Sequence, residues 1–386
     1  MTYIELNINR LNHLLRLYQL SKEELLHYLN RDRKKAFSEN EVFGPRVLFS
    51  ILKKIDKVFK KGYSYYIDPQ DLQVTTEESI FFRKDKFNAE LSFGAKQIVT
   101  HFEDEKIMFS ALSKLSDFKT ERTLPYFTIK NNPKKVSEEI RKALYPEFKQ
   151  DRKIFLKSLI SKFAENSIVV FEFIENWNKK EKANINGFYL SPNVIVLKRQ
   201  KFYRREIFTL IHELGHYLLN LEEIDEKIGD DYTSYQGLDK IEKWCNDFAY
   251  HFLVGEFDEI ITGLEKASAK NDYHHEIIKT ISSSTNLSEF ALLTRLRINN
   301  TISFSDYQTV KEDFENQYLE HEERLRIKRE LDKEEGRKSN VRAAKPILSP
   351  LYIDTIQSAF IEGIIGEIEF CKRLNVKPEN IWKYFE

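Results

Sequence analysis

The stretch that decides the fold lies at residues 203–219 and reads YRREIFTLIHELGHYLL. Apolar residues such as Leu210 and Leu214 recur at helical spacing, which predicts an α-helix anchored in a core. His212 and His216 are four residues apart on this helix, so their imidazoles project from one face about one turn apart. The stretch therefore predicts a buried helix that presents two histidines side by side.

Two histidines at this spacing can supply two of the three protein ligands of a catalytic zinc ion. Zinc catalysis also requires an open position for water and a base that handles the proton of that water. Glu213 lies roughly 100° round the helix from His212, so it flanks the metal without being forced to bind it. We therefore expect Glu213 to act as the general base. The alternative, a buried helix with two ordinary histidines, stays open at this point.

The third ligand should come from a later helix, and residues 241–253 are the best source. Glu242 lies on the shoulder of the apolar stripe of that helix, where its carboxylate can point at the first helix. Asn246, one turn further on, shares the face of Glu242 and could hydrogen-bond the carboxylate or a ligating histidine. Two alternatives remain open: an exposed Glu242 that is favoured by the helix dipole, and Asp247 as a weaker ligand candidate.

These motifs resemble those of a known family. The run at residues 203–219 resembles the signature of the ImmA/IrrE metallopeptidases. The run at residues 242–249, EKWCNDFA, is similar to the family's glutamate, Ala-Asn pair and Phe-Ala. A strand at 194–197 and the segment at 185–188 also fall where the family places them, and the resemblance covers about residues 134–256.

Carried over position by position, the resemblance implies zinc (Zn²⁺) held by His212, His216 and Glu242, with Glu213 as the base. It also implies an α+β fold: a zincin-like metallopeptidase domain with a small mixed sheet and the active helix, flanked by helical N- and C-terminal modules. Asn246 remains the expected outer partner of the ligands. The expected activity is that of a zinc metalloendopeptidase.

The sequence departs from the family at two points and leaves one role open. Cys245 replaces a small alanine, and residues 254–255 read Val-Gly where the family usually has Met-Pro. Both departures affect packing more than chemistry, and Cys245 is expected to face the core. A donor to the tetrahedral intermediate is also needed. Its candidates, by residue type alone, are Tyr217, His251, His274 and His275.

Composition narrows the class of protein. The chain has 386 residues, of which 41% are hydrophobic, and its 61 basic and 61 acidic side chains balance. This balance argues against a nucleic-acid coat or a membrane-surface protein. The two cysteines are too few for a disulfide scaffold, and neither a signal peptide nor a long apolar run is visible. We expect a cytoplasmic protein without a membrane partner.

The pattern along the chain predicts five segments. Strands are expected at 79–83, 167–174 and 193–197, and the charged stretch 320–338 is expected to form a solvated helix or linker. The segments are a helix-turn-helix-like module at 1–62, a mixed connecting region at 63–133, the zincin-like domain at 134–260, a helical charged extension at 261–345 and a C-terminal helical segment at 346–386.

The N-terminal module resembles the helix-turn-helix of phage repressors. Ser21 and Glu24 have the spacing of a capping box, and Gly62 is expected to stop the last helix. Residues 1–62 carry 13 basic against 7 acidic side chains, which fits a DNA contact. However, the stretch at 31–43, where the recognition helix should lie, is irregular, and a module that docks a partner protein fits about as well.

Two functions from different classes follow. The first is an endopeptidase of narrow specificity that cleaves a transcriptional repressor, an antitoxin or a similar regulator. If the strand at 194–197 lies at a sheet edge, it would pair with the extended substrate. The second is a regulatory protein that binds DNA or a partner, with a structural or sensory metal site. A weaker third option is a component of a toxin–antitoxin pair.

Overall fold

The computed structural model forms two compact units, Met1–Glu105 with Glu181–Asn184 and Lys106–Lys180 with Ile185–Glu386. The strand expected at 79–83 falls outside the described part of the chain. The structure describes residues 2–18, 20–31, 33–70, 91–118, 120–175, 182–200, 202–224, 231–335 and 345–385.

The first unit packs short helices around an apolar core, with a two-stranded antiparallel sheet that pairs Tyr3 with Leu48. Leu11 and Ile51 are completely buried in this core, as the helical spacing of the apolar residues predicts. Its elements are β1 (Tyr3–Glu5), α1 (Ile8–Leu17), α2 (Lys22–Asn30), α3 (Glu39–Phe43), β2 (Arg46–Leu48), α4 (Phe49–Phe59), α5 (Tyr63–Ile67) and the first half of α6 (Phe93–Leu115).

The sequence gives two signals for helix ends in this unit, and the structure confirms one of them. The Ser21 hydroxyl accepts a hydrogen bond from the Glu24 amide at 3.1 Å, and the Glu24 carboxylate accepts one from the Ser21 amide at 2.6 Å, so the capping box forms. The prediction that α4 stops at Gly62 is wrong by two residues, because the residue that caps the helix is Lys60. Helix α4 ends at Phe59 because Lys60 takes the left-handed conformation itself, with φ of 53°.

The second unit surrounds a small sheet with helices. Its larger elements are the rest of α6, α7 (Pro133–Leu144), α8 (Arg152–Glu165), β3 (Val169–Phe173), β4 (Gly187–Leu190), β5 (Val194–Lys198), α9 (Tyr203–Leu219), α10 (Tyr232–Gly237), α11 (Lys240–Val254), α12 (Asp258–Thr262), α13 (His275–Ser284), α14 (Glu289–Ile298), α15 (Phe304–Glu334), α16 (Pro350–Ile361) and α17 (Glu367–Leu374). The expected helix-rich α+β fold with a small sheet is thus confirmed.

The sheet corrects one prediction. Strand β5 lies in the middle: it pairs in parallel with β3, where Val169 faces Val194, and antiparallel with β4, where Gly187 faces Leu197. The suggestion that residues 194–197 form a sheet edge for the substrate is therefore wrong, because both sides of β5 already have partner strands. A run of β-branched residues predicts a buried strand but not its position in the sheet.

Helix α9 lies at the centre of this unit. It packs against β4 and β5 on one side and against α11 on another. From Glu206 to Leu219 every residue except Phe208 is buried, which is why both histidines lie inside the domain. The expected bounds near Tyr203 and at 241–253 agree with α9 and α11 to within one residue. This arrangement brings the faces of two long helices together.

The remaining segments are helical. Helix α15 has 31 residues, most of them exposed, as the charge pattern predicts for a solvated helix. The C-terminal segment contains α16 and α17, and Pro378 opens a further stretch of 3₁₀ helix. Across the described ranges, no helix combines the length and the apolar character that a bilayer crossing requires.

Candidate metal centre

Two helices hold the three side chains for which the sequence predicts metal binding. His212 and His216 project from α9, and Glu242 projects from the first turn of α11. That turn is fixed by Asp239, whose carboxylate accepts hydrogen bonds from the amides of Ile241 at 2.8 Å and Glu242 at 3.0 Å. The position of Glu242 opposite the histidines is therefore set by a capped helix rather than by a loop.

The three side chains converge on one point. The Nε2 atoms of His212 and His216 are 3.2 Å apart, and the two Glu242 oxygens lie 3.1 Å from His212 Nε2 and 3.0 Å from His216 Nε2. None of the three residues is more than 2% exposed. Among the described residues this is the one group of histidine, cysteine and acidic side chains with the spacing of a metal site.

The donor atoms fit a small divalent cation. A tetrahedral zinc ion with bonds of about 2.0–2.1 Å holds its ligands about 3.3 Å apart, close to the distances found here. The Nδ1 atoms of His212 and His216 are buried without a hydrogen-bond partner, and neither Glu242 oxygen has a well-oriented one. Two imidazoles and a carboxylate that are buried with so few partners form a possible three-residue metal site.

The electrostatics of the group give two of the three side chains their metal-binding protonation states. Burial alone would raise the pKa of Glu242, but the neighbouring His216 and His212 lower it more, so the carboxylate stays ionised. Burial lowers the pKa of His212, against the opposing effect of Glu242, so its imidazole is neutral near pH 7. Burial would also lower the pKa of His216, but Cys245 and Glu242 raise it well above 6.5. A metal that binds here must therefore displace a proton from His216.

Glu213 lies beside this group and not in it. Its side chain is 4% exposed, and its Oε2 atom has no hydrogen-bond partner. Burial raises the pKa of Glu213 to about 8; His216 lowers it, and Glu242 raises it further. The carboxyl group is therefore buried, unpaired and close to the two residues that face the metal position.

Strand β4 approaches Glu213 at a glycine. A Cβ atom on Gly187 would lie 2.8 Å from Thr209 Cγ2 and 3.1 Å from both Glu213 Oε1 and the Val196 carbonyl oxygen. Only a residue without a side chain leaves this space, so Gly187 lets the strand pass directly over the Glu213 carboxyl group. The sequence reasoning missed this role, although a glycine at the start of a strand is the kind of signal that indicates a close approach.

A second close approach joins α9 to α11. A Cβ atom on Gly215 would lie 3.0 Å from Cys245 Sγ and 3.2 Å from Cys245 Cα. The backbone of α9 at Gly215 therefore packs directly against Cys245 of α11. Cys245 is completely buried, and burial raises its pKa to about 12 despite the effect of His216. Its thiol is therefore neutral, and it lies outside the three-residue group.

Asn246 lies on the same helix face as Glu242, as predicted. The side chain is 4% exposed, and it is close enough to His212 to act on the pKa of that histidine. Neither amide atom of Asn246 has a well-oriented hydrogen bond. The expected bond from Asn246 to a ligand therefore stays a prediction, with the amide placed where such a bond could form.

The other candidates lie outside the three-residue group. Asp247 forms an ion pair of 2.7 Å with Arg295, and His274 Nε2 contacts the Glu265 carbonyl oxygen at 2.9 Å. Arg122 covers the ring of the buried Tyr217 at 3.9 Å. His275 is simply the first residue of α13, and His251 belongs to the network described next.

A network of buried charges adjoins the other half of α11, and the sequence reasoning did not find it. Arg295 Nη2 contacts His251 Nε2 at 2.8 Å, and Arg295 Nη1 contacts Asp247 Oδ1 at 2.7 Å. His251 Nδ1 lies 3.4 Å from Asp258 Oδ2, which also accepts from Lys134 Nζ at 2.7 Å. These five residues, here called the arginine network, come from four helices, so no local spacing could have indicated them.

Comparison with known proteins agrees with the resemblance of the motifs. Residues 166–297 match the family described as IrrE N-terminal-like domain, Peptidase_M78. This range contains all of α9 and α11, supports a relationship to the ImmA/IrrE family and suggests a metallopeptidase, which implies a protein substrate. Comparisons with curated proteins and with solved structures found no match. Residues 1–62 lie outside the matched range, so the helix-turn-helix module stays a prediction.

Proposed function

We propose that the protein is a zinc-dependent endopeptidase of narrow specificity that cleaves a transcriptional repressor or a similar regulatory protein. His212, His216 and Glu242 would hold the zinc ion in a zincin-like domain, and Glu213 would serve as the general base. The observation that carries the proposal is the convergence of three buried side chains, whose two ring nitrogens and two carboxylate oxygens lie 3.0–3.2 Å from their neighbours. Beside them lies Glu213, whose Oε2 atom is buried without a hydrogen-bond partner.

The residues of the chain divide the chemistry between them. When bound, zinc polarises the scissile carbonyl and the attacking water. Glu213 would accept the proton of that water and then donate it to the leaving amine, which requires a carboxyl group within reach of both. Without a metal, its pKa of about 8 leaves the carboxyl group mostly protonated at pH 7. A cation held beside it would lower this pKa and favour the ionised form that a base requires. Asn246 would orient a ligand, because its amide is buried next to His212.

The burial of the site supports narrow specificity. The three donors and Glu213 are at most 4% exposed, whereas a peptidase that accepts any unfolded chain needs an open cleft. The proposed place of action is the cytoplasm, in line with the free cysteines Cys245 and Cys371. The proposed substrate class, a repressor or a similar regulator, rests on the resemblance of the motifs to the ImmA/IrrE family.

The test compares newly formed protein N-termini, by mass spectrometry, in cells that make the wild type or Glu213→Gln. We expect a new terminus with the wild type alone, while both proteins retain zinc, because the substitution removes the base and leaves the ligands. A matched control is Glu206→Gln, the same change at another buried glutamate of α9. Burial and the nearby Glu172 raise the pKa of Glu206 to about 9, so this carboxyl group is already neutral at pH 7.

The outcomes separate the two functions. A new terminus with the wild type and Glu206→Gln but not with Glu213→Gln identifies both the activity and the substrate. Cleavage that persists in Glu213→Gln would remove Glu213 as the base. If no strain forms a new terminus, the result favours the alternative function.

The alternative is a regulatory protein that binds DNA or a partner protein, with a structural or sensory metal site. The observation in its favour is the surplus of basic side chains in residues 1–62, 13 against 7 acidic ones. Its test is whether the purified protein shifts DNA from upstream of its own gene. Binding that weakens steeply with rising salt would support phosphate contacts, and the absence of any shift would remove DNA as the ligand.

A further inference from the structure

A second cavity of the same unit lies apart from the metal centre. Its volume is about 360 Å³. It lies between the start of α8, the start of α9, and the segment that joins α13 to α14. Arg152 opens α8 and Arg204 is the second residue of α9, while Lys279 lies on α13. None of the residues assigned to the metal centre lines it.

The charges around this cavity are unbalanced. Three cationic side chains, Arg152, Arg204 and Lys279, line it together with one carboxylate, Glu289. In the described part of the chain, none of these three cations forms a direct ion pair. Burial and the like charge of Arg152 lower the pKa of Arg204, and Glu289 opposes them only in part. A site with this surplus matches a ligand that carries two negative charges.

Buried polar atoms with no partner face the same space. Asn286 is 1% exposed, and neither atom of its side-chain amide has a hydrogen-bond partner. Arg204 donates from Nη2 to the Ser282 carbonyl oxygen at 2.6 Å, but its Nε atom is buried without an acceptor. Buried polar groups are nearly always hydrogen-bonded, so donors left over at a cavity wall point to an absent acceptor.

The segment that carries Asn286 is held firmly. The Ser282 hydroxyl donates to the Leu287 carbonyl oxygen at 3.0 Å, and the Thr285 hydroxyl donates to the Ile281 carbonyl oxygen at 2.8 Å. Ser288 then caps α14 by accepting from the Ala291 amide at 3.0 Å. Asn286 therefore cannot easily turn away to find a partner elsewhere.

We propose that this cavity, here called the anion pocket, binds a phosphate group, with Arg204 and Asn286 as its principal donors and Arg152 and Lys279 as its charge partners. A phosphate group matches the excess of two positive charges better than a carboxylate does, because it carries about −1.5 to −2 charge near pH 7. The anion pocket itself shares no residue with the metal centre, although Asn246 lines the neighbouring cavity. Phosphate binding is therefore tested separately from the proposed peptidase activity.

A neighbouring cavity indicates how the rest of a ligand would lie. It has a volume of about 480 Å³, shares Arg204 and Asn286 with the anion pocket, and has mainly apolar walls that include Phe208 and Phe290. The organic part of a phosphate ester would fit there, whereas free phosphate would leave it unused. The two sources of the phosphate group can therefore be distinguished by affinity.

The test is isothermal titration calorimetry of the full chain at constant ionic strength, with inorganic phosphate, phenyl phosphate and acetate as probes. We expect phosphate to bind, Arg204→Gln to weaken it about tenfold, and Asn286→Ala to weaken it about fivefold. Lys279→Gln, at an exposed position that folding tolerates, should weaken it about threefold. The matched control Arg329→Gln, on the exposed face of α15, should bind as the wild type does.

Tighter binding of phenyl phosphate than of inorganic phosphate would support the site and identify an ester as its ligand. Equal binding of the two would support the site as one for free phosphate. The proposal is overturned if the wild type binds no phosphate at about 10 mM, a concentration well above the range of specific sites. It is also overturned if acetate binds as well as phosphate, or if Lys279→Gln and Arg204→Gln both bind like Arg329→Gln.

Discussion

Helix α11 takes part in two clusters of buried charge that differ in one respect. In the arginine network, the carboxylates of Asp247 and Asp258 face Arg295 and Lys134, each at 2.7 Å. In the candidate metal centre, the Glu242 carboxylate faces two imidazoles, and among the described residues neither Lys nor Arg contacts it. The first cluster supplies permanent cations, whereas the only positive charge that the described residues place beside Glu242 is a proton on His216, whose pKa is raised well above 6.5.

The difference has an energetic consequence. Removing a charge from water costs several kcal/mol, and a buried charge is tolerated only when partners compensate for it. The arginine network meets this condition with side chains alone. The metal centre meets it with a cation from outside or, without a metal, with the proton that the raised pKa of His216 keeps on its imidazole. A divalent cation compensates the Glu242 charge more fully than this proton does, so the stability of the centre should depend on the metal while that of the network should not.

The largest effect is expected from His216→Ala. The change removes one of three ligands, so we expect zinc affinity to fall by at least about a hundredfold and zinc content to drop from one ion per chain to almost none. A chelator should lower the Tm of the wild type but not that of the variant, because only the wild type has bound metal to lose. Elemental analysis and thermal unfolding measure both.

The matched control for this prediction is His251→Ala, which removes a histidine of α11 from the arginine network. It should keep its zinc and its response to the chelator. If His251→Ala lost zinc as completely as His216→Ala, the two clusters would not be separate.

A smaller effect is expected when the arginine network loses its central cation. Arg295→Met keeps much of the side-chain volume but leaves Asp247 and His251 without the guanidinium. We expect the free energy of unfolding to fall by about 3 kcal/mol, the lower end for a broken buried pair because Asp247 is partly exposed. Urea denaturation measures the loss. Unchanged stability, or loss of zinc in the folded variant, would contradict the separation of the clusters.

The network should also have its own pH dependence. Burial raises the pKa of Asp258, but hydrogen bonds from His251 and Lys134 lower it more, to well below its usual value of 3.8. A lowered pKa means that the carboxylate stabilises the fold fully above about pH 4 and loses this contribution as the pH falls toward the lowered pKa. Asp258→Asn should therefore be about 2 kcal/mol less stable than the wild type at pH 7.

This gap between Asp258→Asn and the wild type should begin to narrow below about pH 4, because the unfolded chain takes up a proton at Asp258 while the native carboxylate stays ionised. Urea denaturation midpoints of both proteins, measured at pH 7 and at about pH 3.5, test whether the gap narrows. A gap that widened at low pH would show that Asp258 is not held in its ionised form.

The smallest effect is expected where α9 and α11 touch. Gly215→Ala adds a Cβ atom 3.0 Å from Cys245 Sγ and 3.2 Å from its Cα, so the helices must separate slightly. We expect a loss of about 1 kcal/mol, since overpacking is partly offset by the better helix propensity of alanine. Zinc affinity should fall severalfold, because Glu242 moves with α11. A gain in both quantities would show that the contact is not tight.

The metal centre was the most predictable part of the chain, and its neighbours were the least. His212, Glu213 and His216 are local, so helical geometry alone places them on adjoining faces. Glu242 required a second motif, since nothing in its own helix states which partner helix it meets. The structure brings it to the histidines, while its role as a ligand stays a prediction.

The features that sequence reasoning missed all depend on contacts distant along the chain. The arginine network joins Arg295 to Asp247 across 48 residues and Lys134 to Asp258 across 124. Likewise, the central position of β5 depends on pairing with both β3 and β4, whereas its sequence states only that both faces are buried. Spacing predicts the faces of an element, and only tertiary structure decides what lies against each face.

The close packing around Gly187 limits which amino acids evolution can accept at this position. Its backbone needs no unusual torsion angle, and it donates no chemical group, yet any side chain would collide with Glu213, Thr209 or the Val196 carbonyl. If selection keeps the Glu213 carboxyl group in place, it would therefore purge every other amino acid at position 187. A position that contributes no chemical group would then look as invariant as the glutamate it adjoins.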